Sequence, residues 1–321
     1  MVSFVYKYYY YLPEQQDFID HYTRILDGNH WRGLAPGDAE VSGGEPGYYH
    51  LDSGKLKILV VKTEAEEGFW SEGRQKLAAF EGLAILDNEK YMASTTVLAG
   101  LTSAAEEAFA QACRLVDCDD TFKIQFGSQA LFRLAAWRHG HTDYLYIIDP
   151  KETKALSFVS RRLPLLQSLM VQMHYLDSLL RDRNMAINLE RGELEEQLSL
   201  VLHSRLVSGH TLSATDELEQ EIERLSAAYG KIVGNSRLIM DGAERMQNLI
   251  ARFCHRLYAD PELEDHEVIR EKFTDIYRQR LEELRNTYSA LAVARENYQA
   301  AIEVVRSKID IMNSRTNMET Q

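Results

Sequence analysis

From Leu263 to Gln321 the chain contains neither glycine nor proline, and its apolar residues return at alternating intervals of four and three. That rhythm belongs to a helix with one packed seam, because two turns take close to seven residues. One register reads Tyr277, Leu284, Leu291, Tyr298, Val305 and Met312, and its partner reads Leu281, Tyr288, Arg295, Ile302, Ile309 and Thr316. At 1.5 Å per residue, forty residues of this kind make a rod of about 60 Å. Such a rod cannot bury a stripe against itself, so the segment requires helical partners.

The preceding residues supply them. A second seam starts at Leu218, Ile222, Leu225, Tyr229, Ile232 and Ser236, and continues through Ile239, Ala243, Met246, Ile250, Phe253 and Leu257. Gly230, Gly234 and Gly242 each weaken this helix by about 1 kcal/mol, so packing must hold it. Asp260-Pro261 ends it. An earlier helix starts at Pro164, read as its first residue, and carries Leu169, Met173, Leu176, Leu180, Ile187, Leu194, Leu198 and Val201. The spacing therefore predicts helices over about 164–207, 213–259 and 263–321, the last two forming a long antiparallel hairpin. Both seams stay apolar over about forty residues, more than one hairpin covers readily, which predicts a homo-oligomer. The seam assigned to it runs through Leu284, Tyr288, Leu291, Arg295 and Tyr298, then Ile302, Val305, Ile309 and Met312. Arg295 either sets register as a buried polar group or extends its head to water.

Residues 1–150 read differently. Val2 to Leu12 is rich in Val, Phe and Tyr, which favours a strand, and a helix follows Pro13. Tyr48–Leu51 and Lys55–Thr63 flank Asp52-Ser-Gly54 as a hairpin, and Leu83–Leu86 and Tyr91–Ser94 flank Asp87–Lys90 as another. The stretch 102–116 is Ala-rich and reads as a helix. Strands are expected over 122–126, 130–138 and 144–148. The fold class is α+β: a mixed sheet of four to six strands in domain 1–150, then an all-helical coiled-coil stalk in 151–321.

Charge and motifs exclude several functions. The net charge is −13, which argues against nucleic acid as a partner, since phosphate neutralisation needs clustered Lys and Arg. Cys113, Cys118 and Cys254 match no zinc spacing and fit free thiols in a reducing compartment. No secretory leader opens the sequence, and no apolar run approaches the roughly 20 residues needed to span a bilayer. Arg138-His-Gly-His-Thr-Asp143 could place two imidazoles on one strand, but Gly140 points to a turn. No Walker, Gly-x-Ser-x-Gly or His-Glu-x-x-His pattern occurs, so the chain is expected not to be an enzyme.

The segment Phe273-Thr-Asp-Ile-Tyr277, the unbroken helix after it and the closing Asn313-Ser-Arg-Thr-Asn317 together resemble the stalk of CorA-type magnesium channels. The resemblance covers about residues 215–317. It implies the cytosolic regulatory and gating part of a divalent-cation channel or transporter, homo-oligomeric with five-fold symmetry, whose membrane helices are missing from this sequence. It also implies a regulatory Mg2+ site in which Asp275 supplies one carboxylate. Asp87 and Glu89, in an acidic turn, are the candidates for the second, from a neighbouring subunit. Asn313, Thr316 and Asn317 would stand at the pore mouth and hold hydrated cations through oxygen atoms. The expected location is the cytoplasmic side of the cell membrane. The alternative is a soluble, cytoplasmic coiled-coil scaffold with no transport role.

Overall fold

The computed structural model describes residues 3–35, 46–65, 70–84, 91–100, 120–126, 129–138, 141–148, 157–207, 214–260, 263 and 266–319. The helix expected over 102–116, the turn at 208–210, and Cys113 and Cys118 lie outside these residues. An N-terminal mixed sheet is followed by three long helices. The chain forms two compact units, one of residues 1–172 with 251–273 and the other of 173–250 with 274–321.

In the first unit, β1 (Ser3–Tyr11) is the strand that its five tyrosines predict. It lies between β4 (Lys57–Ala65) and β5 (Ala93–Gly100), antiparallel to both. β3 (Gly47–Asp52) and β4 form the expected hairpin. Its turn places Gly54 at φ 87°, where a side chain would be strained, and the Gly54 N–H donates to Asp52 Oδ1 at 2.6 Å. β2 (Arg32–Gly33) runs parallel to β3. β6 (Asp120–Phe126), β7 (Gln129–Arg138) and β8 (His141–Ile148) complete a sheet ordered β2-β3-β4-β1-β5-β8-β7-β6. The sheet is larger than the four to six strands expected, because β2 adds an edge and β5 pairs in parallel with the distant β8. Arg138 stands opposite His141 in the antiparallel β7–β8 pair, and the turn expected at Gly140 lies outside the described residues.

Leu83–Leu86 was expected as a strand, and here the structure differs. Leu83 and Ala84 end helix α2 (Trp70–Ala84). Leu77 and Ala84 are buried and Phe80 meets Trp31 edge-on at 5.5 Å, so the apolar spacing is helical, though Gly73 and Gly82 dilute it. α1 (Gln16–Gly28) buries Ile19, Tyr22 and Leu26. Tyr9 reaches both helices, with its ring edge-on to Tyr22 at 5.5 Å and its hydroxyl bonded to Glu81, which also pairs with Lys7.

The opposite face of the sheet meets the start of the helical region. Pro164 is not a first residue there. A π-helical turn, Phe158–Arg162, precedes α3 (Leu163–Val207), and the Leu163 N–H donates to the Phe158 carbonyl. Pro164 has no N–H to give the preceding turn. Tyrosine hydroxyls bond two carbonyls of that turn: Tyr8 donates to Val159 O and Tyr49 to Ser160 O, each at 2.5 Å. Farther along, Ser53 and Ser168 share a hydrogen bond, and Arg162 pairs with Asp260 at 2.8 Å.

The second unit contains most of α3, α4 (Ala214–Tyr258) and α5 (His266–Glu319). Each helix buries a seven-residue repeat: Met173, Leu180, Ile187 and Leu194 on α3; Leu218, Leu225, Ile232, Ile239 and Met246 on α4; Tyr277, Leu284, Leu291, Tyr298 and Val305 on α5. Each fully buried side chain of this size contributes about 1.5–3 kcal/mol of transfer free energy. Ser236, the polar member of the α4 seam, is satisfied by its own helix, donating to Ile232 O at 2.8 Å.

Candidate cation and assembly sites

Asp275 is the tenth residue of α5, two turns beyond the N-terminus, where the helix dipole has faded. Its side chain is 58% exposed, and the Arg278 guanidinium stands 3.9 Å away. A contact that long between exposed groups leaves the carboxylate accessible to a cation and contributes little to stability. Asp87 and Glu89 lie outside the described residues. Among the described residues no group of three or more His, Cys, Asp or Glu side chains could hold a metal ion.

Asn313 is exposed on α5, and the helix continues past Thr316 and Asn317 to Glu319. At 100° per residue, positions 313, 316 and 317 share an arc of about 100°. Among the described residues no helix is long and apolar enough to cross a membrane.

The expected oligomer seam divides in two. Leu284, Leu291, Tyr298, Ile302 and Val305 are buried within the chain itself, and the Tyr298 hydroxyl donates to Leu194 O on α3 at 2.6 Å. Ile309 and Met312 are half-buried. Tyr288 and Arg295 are exposed, so the Arg295 head reaches water.

Sequence reasoning missed the polar groups that join the three helices. Asn235, one residue before the seam position Ser236, is 7% exposed; it donates to Glu190 at 2.8 Å and accepts from Arg183 at 3.4 Å. The Asn235 hydrogen bond holds the Glu190 carboxyl below the usual carboxylate range; partial burial opposes this, and Lys231 adds to it from 3.4 Å. Asp177, also buried, accepts from Arg280 Nε at 2.7 Å, and Asn188 donates to Thr287 at 3.2 Å. Their only sequence signal is a polar residue beside an apolar repeat, which describes most residues of an amphipathic helix. These groups are paired with one another across the helices, and buried polar pairs of this kind favour one register over others. Compared with protein-family models and with curated proteins, the sequence gives no match.

Proposed function

We propose that this chain is the regulatory and gating part of a CorA-like divalent-cation channel or transporter, a homo-oligomeric binding module with no chemical step. The carrying observation is the order of elements: a sheet unit, two 45-residue helices, and a 54-residue helix opened by the Phe273–Tyr277 segment. The three helices act as a coiled-coil stalk, α4 antiparallel to α3 and α5. Contact order supports this. Leu180 meets Gly242 and Glu190 meets Lys231, so positions fall on α4 as they rise on α3. Asp177 meets Arg280, Asn188 meets Thr287 and Leu194 meets Tyr298, so α3 and α5 rise together.

Mg2+ is the regulatory ligand. Carboxylates brought together between subunits repel, and a divalent ion between Asp275 and a neighbour's carboxylate relieves the repulsion, favouring the closed assembly. Thermal unfolding with and without millimolar MgCl2 tests this on wild type and Asp275→Ala. The wild type should gain about 2.7 kcal/mol at a hundred times its dissociation constant, and the variant nothing. Equal shifts in the two proteins, or none in either, would remove Asp275 as a ligand.

The second reading, a coiled-coil scaffold without transport, is favoured by one observation: α5 presents Val293, Val304, Ile311 and Met318 to solvent, at 50–72% exposure.

A further inference from the structure

We propose that the outward face of α5 pairs with the same face of a second copy of this chain, the two helices parallel and in register. This names a face for self-association and does not depend on the cation reading. The buried seam of α5 is centred near Leu291 and Tyr298. At 100° per residue, Val293, Ala300, Val304, Ile311 and Met318 fall within about 40° of one another, on the opposite side of the helix. All five are exposed. β-Branched residues are mediocre helix formers, so a purely solvated back would gain nothing from Val293, Val304 and Ile311.

These residues belong to a second, complete heptad register. Its a positions are Asn297, Val304, Ile311 and Met318, and its d positions are Val293, Ala300, Ser307 and Ser314. β-Branched a residues and one Asn at a favour two parallel strands, and small d residues let the backbones approach. Charge selects the partner and its direction. The flanking g positions are Glu296, Glu303 and Asp310, all exposed, while the last two e positions are Lys308 and Arg315. In a parallel pair each g residue faces the partner's next e residue, setting Glu303 against Lys308 and Asp310 against Arg315 in both directions. An antiparallel pair would set acid against acid along the g edge.

Sedimentation equilibrium over a concentration series tests the pairing, with far-ultraviolet circular dichroism as the check on folding. Val304→Asp and Ile311→Asp alter side chains that the single chain leaves in water, so helix content should hold while the dimer is lost. Lys308→Glu should weaken association about tenfold, since both symmetric pairs turn repulsive. Glu303→Lys combined with Lys308→Glu should restore it. Direction is read by Ile311→Cys with the three native cysteines replaced by serine, where oxidation should cross-link position 311 to itself. A wild-type monomer at the highest concentration, association indifferent to both Asp variants, failure of the charge exchange to rescue, or no cross-link at position 311 would each overturn the proposal.

Discussion

Tyr6, Tyr8 and Tyr49 are all buried in the sheet, yet their hydroxyls have different worth. Those of Tyr8 and Tyr49 donate to the Val159 and Ser160 carbonyls in the turn before Pro164, a residue with no N–H of its own to offer them. Removing either hydroxyl strands a buried acceptor, so Tyr8→Phe and Tyr49→Phe should each cost about 1–3 kcal/mol in urea unfolding. The Tyr6 hydroxyl meets no hydrogen-bond partner among the described residues, and burial pushes its phenol above the usual range. Tyr6→Phe removes an unpaired polar atom and should leave the urea midpoint unchanged or raised. Equal losses in all three variants would mean that the hydroxyls act through packing and not through the carbonyls. The strand itself was legible from its composition. Which hydroxyls matter was not, because the acceptors lie more than a hundred residues away in sequence.

At the scale of elements, the glycines of α4 separate helix propensity from packing. A Cβ at Gly230 or Gly234 would meet nothing within 4 Å, so Gly230→Ala and Gly234→Ala should each stabilise by about 1 kcal/mol. A Cβ at Gly242 would collide with the buried Leu180 side chain, with Cδ1 and Cγ at 3.4 Å and Cδ2 closer. Overpacking there costs about 1–3 kcal/mol, which offsets the propensity gain, so Gly242→Ala should melt below the other two variants. A Gly242→Ala melting temperature matching theirs would show that α3 and α4 yield at this crossing. The sequence treats the three glycines alike, since the difference lies in what α3 brings opposite each one. The α4 seam and the α5 register through Tyr277, Leu284, Leu291, Tyr298 and Val305 were legible from their unbroken repeat, whereas the partner register of α5 misled, since Tyr288 and Arg295 stand exposed. α2 was not, because two glycines dilute a short helix. The outward register of α5 also escaped, since Asn, Ala and Ser hold four of its eight positions. Sheet order escaped for a different reason: alternation marks strands but carries no information on the pairing of β5 with β8.

For the whole molecule, the two proposals place different demands on α5. Asn313 lies about 160° around the helix from the outward stripe, so pairing through that stripe turns it away from the pair's axis. A pore mouth would need the polar ends to converge, as in a ring of more than two copies. Asp275 alone could serve either arrangement, because it is exposed and stands outside both heptad seams. Copies carrying −13 charges repel at long range, and salt shortens that repulsion, with a screening length of about 10 Å at 0.1 M. NaCl should therefore tighten self-association even as it weakens the Glu303–Lys308 and Asp310–Arg315 pairs. MgCl2 at the same ionic strength screens about as well, and it can also bridge carboxylates. If Asp275 binds the cation between subunits, association should be tighter in MgCl2 than in NaCl at every matched ionic strength, and Asp275→Ala should abolish the excess. Coincident NaCl and MgCl2 curves, with Ile311→Asp still dissociating the pair, would leave a scaffold joined by its apolar stripe and remove the cation. A magnesium excess that survives both Ile311→Asp and Asp275→Ala would place the bridging carboxylates elsewhere in the acidic chain.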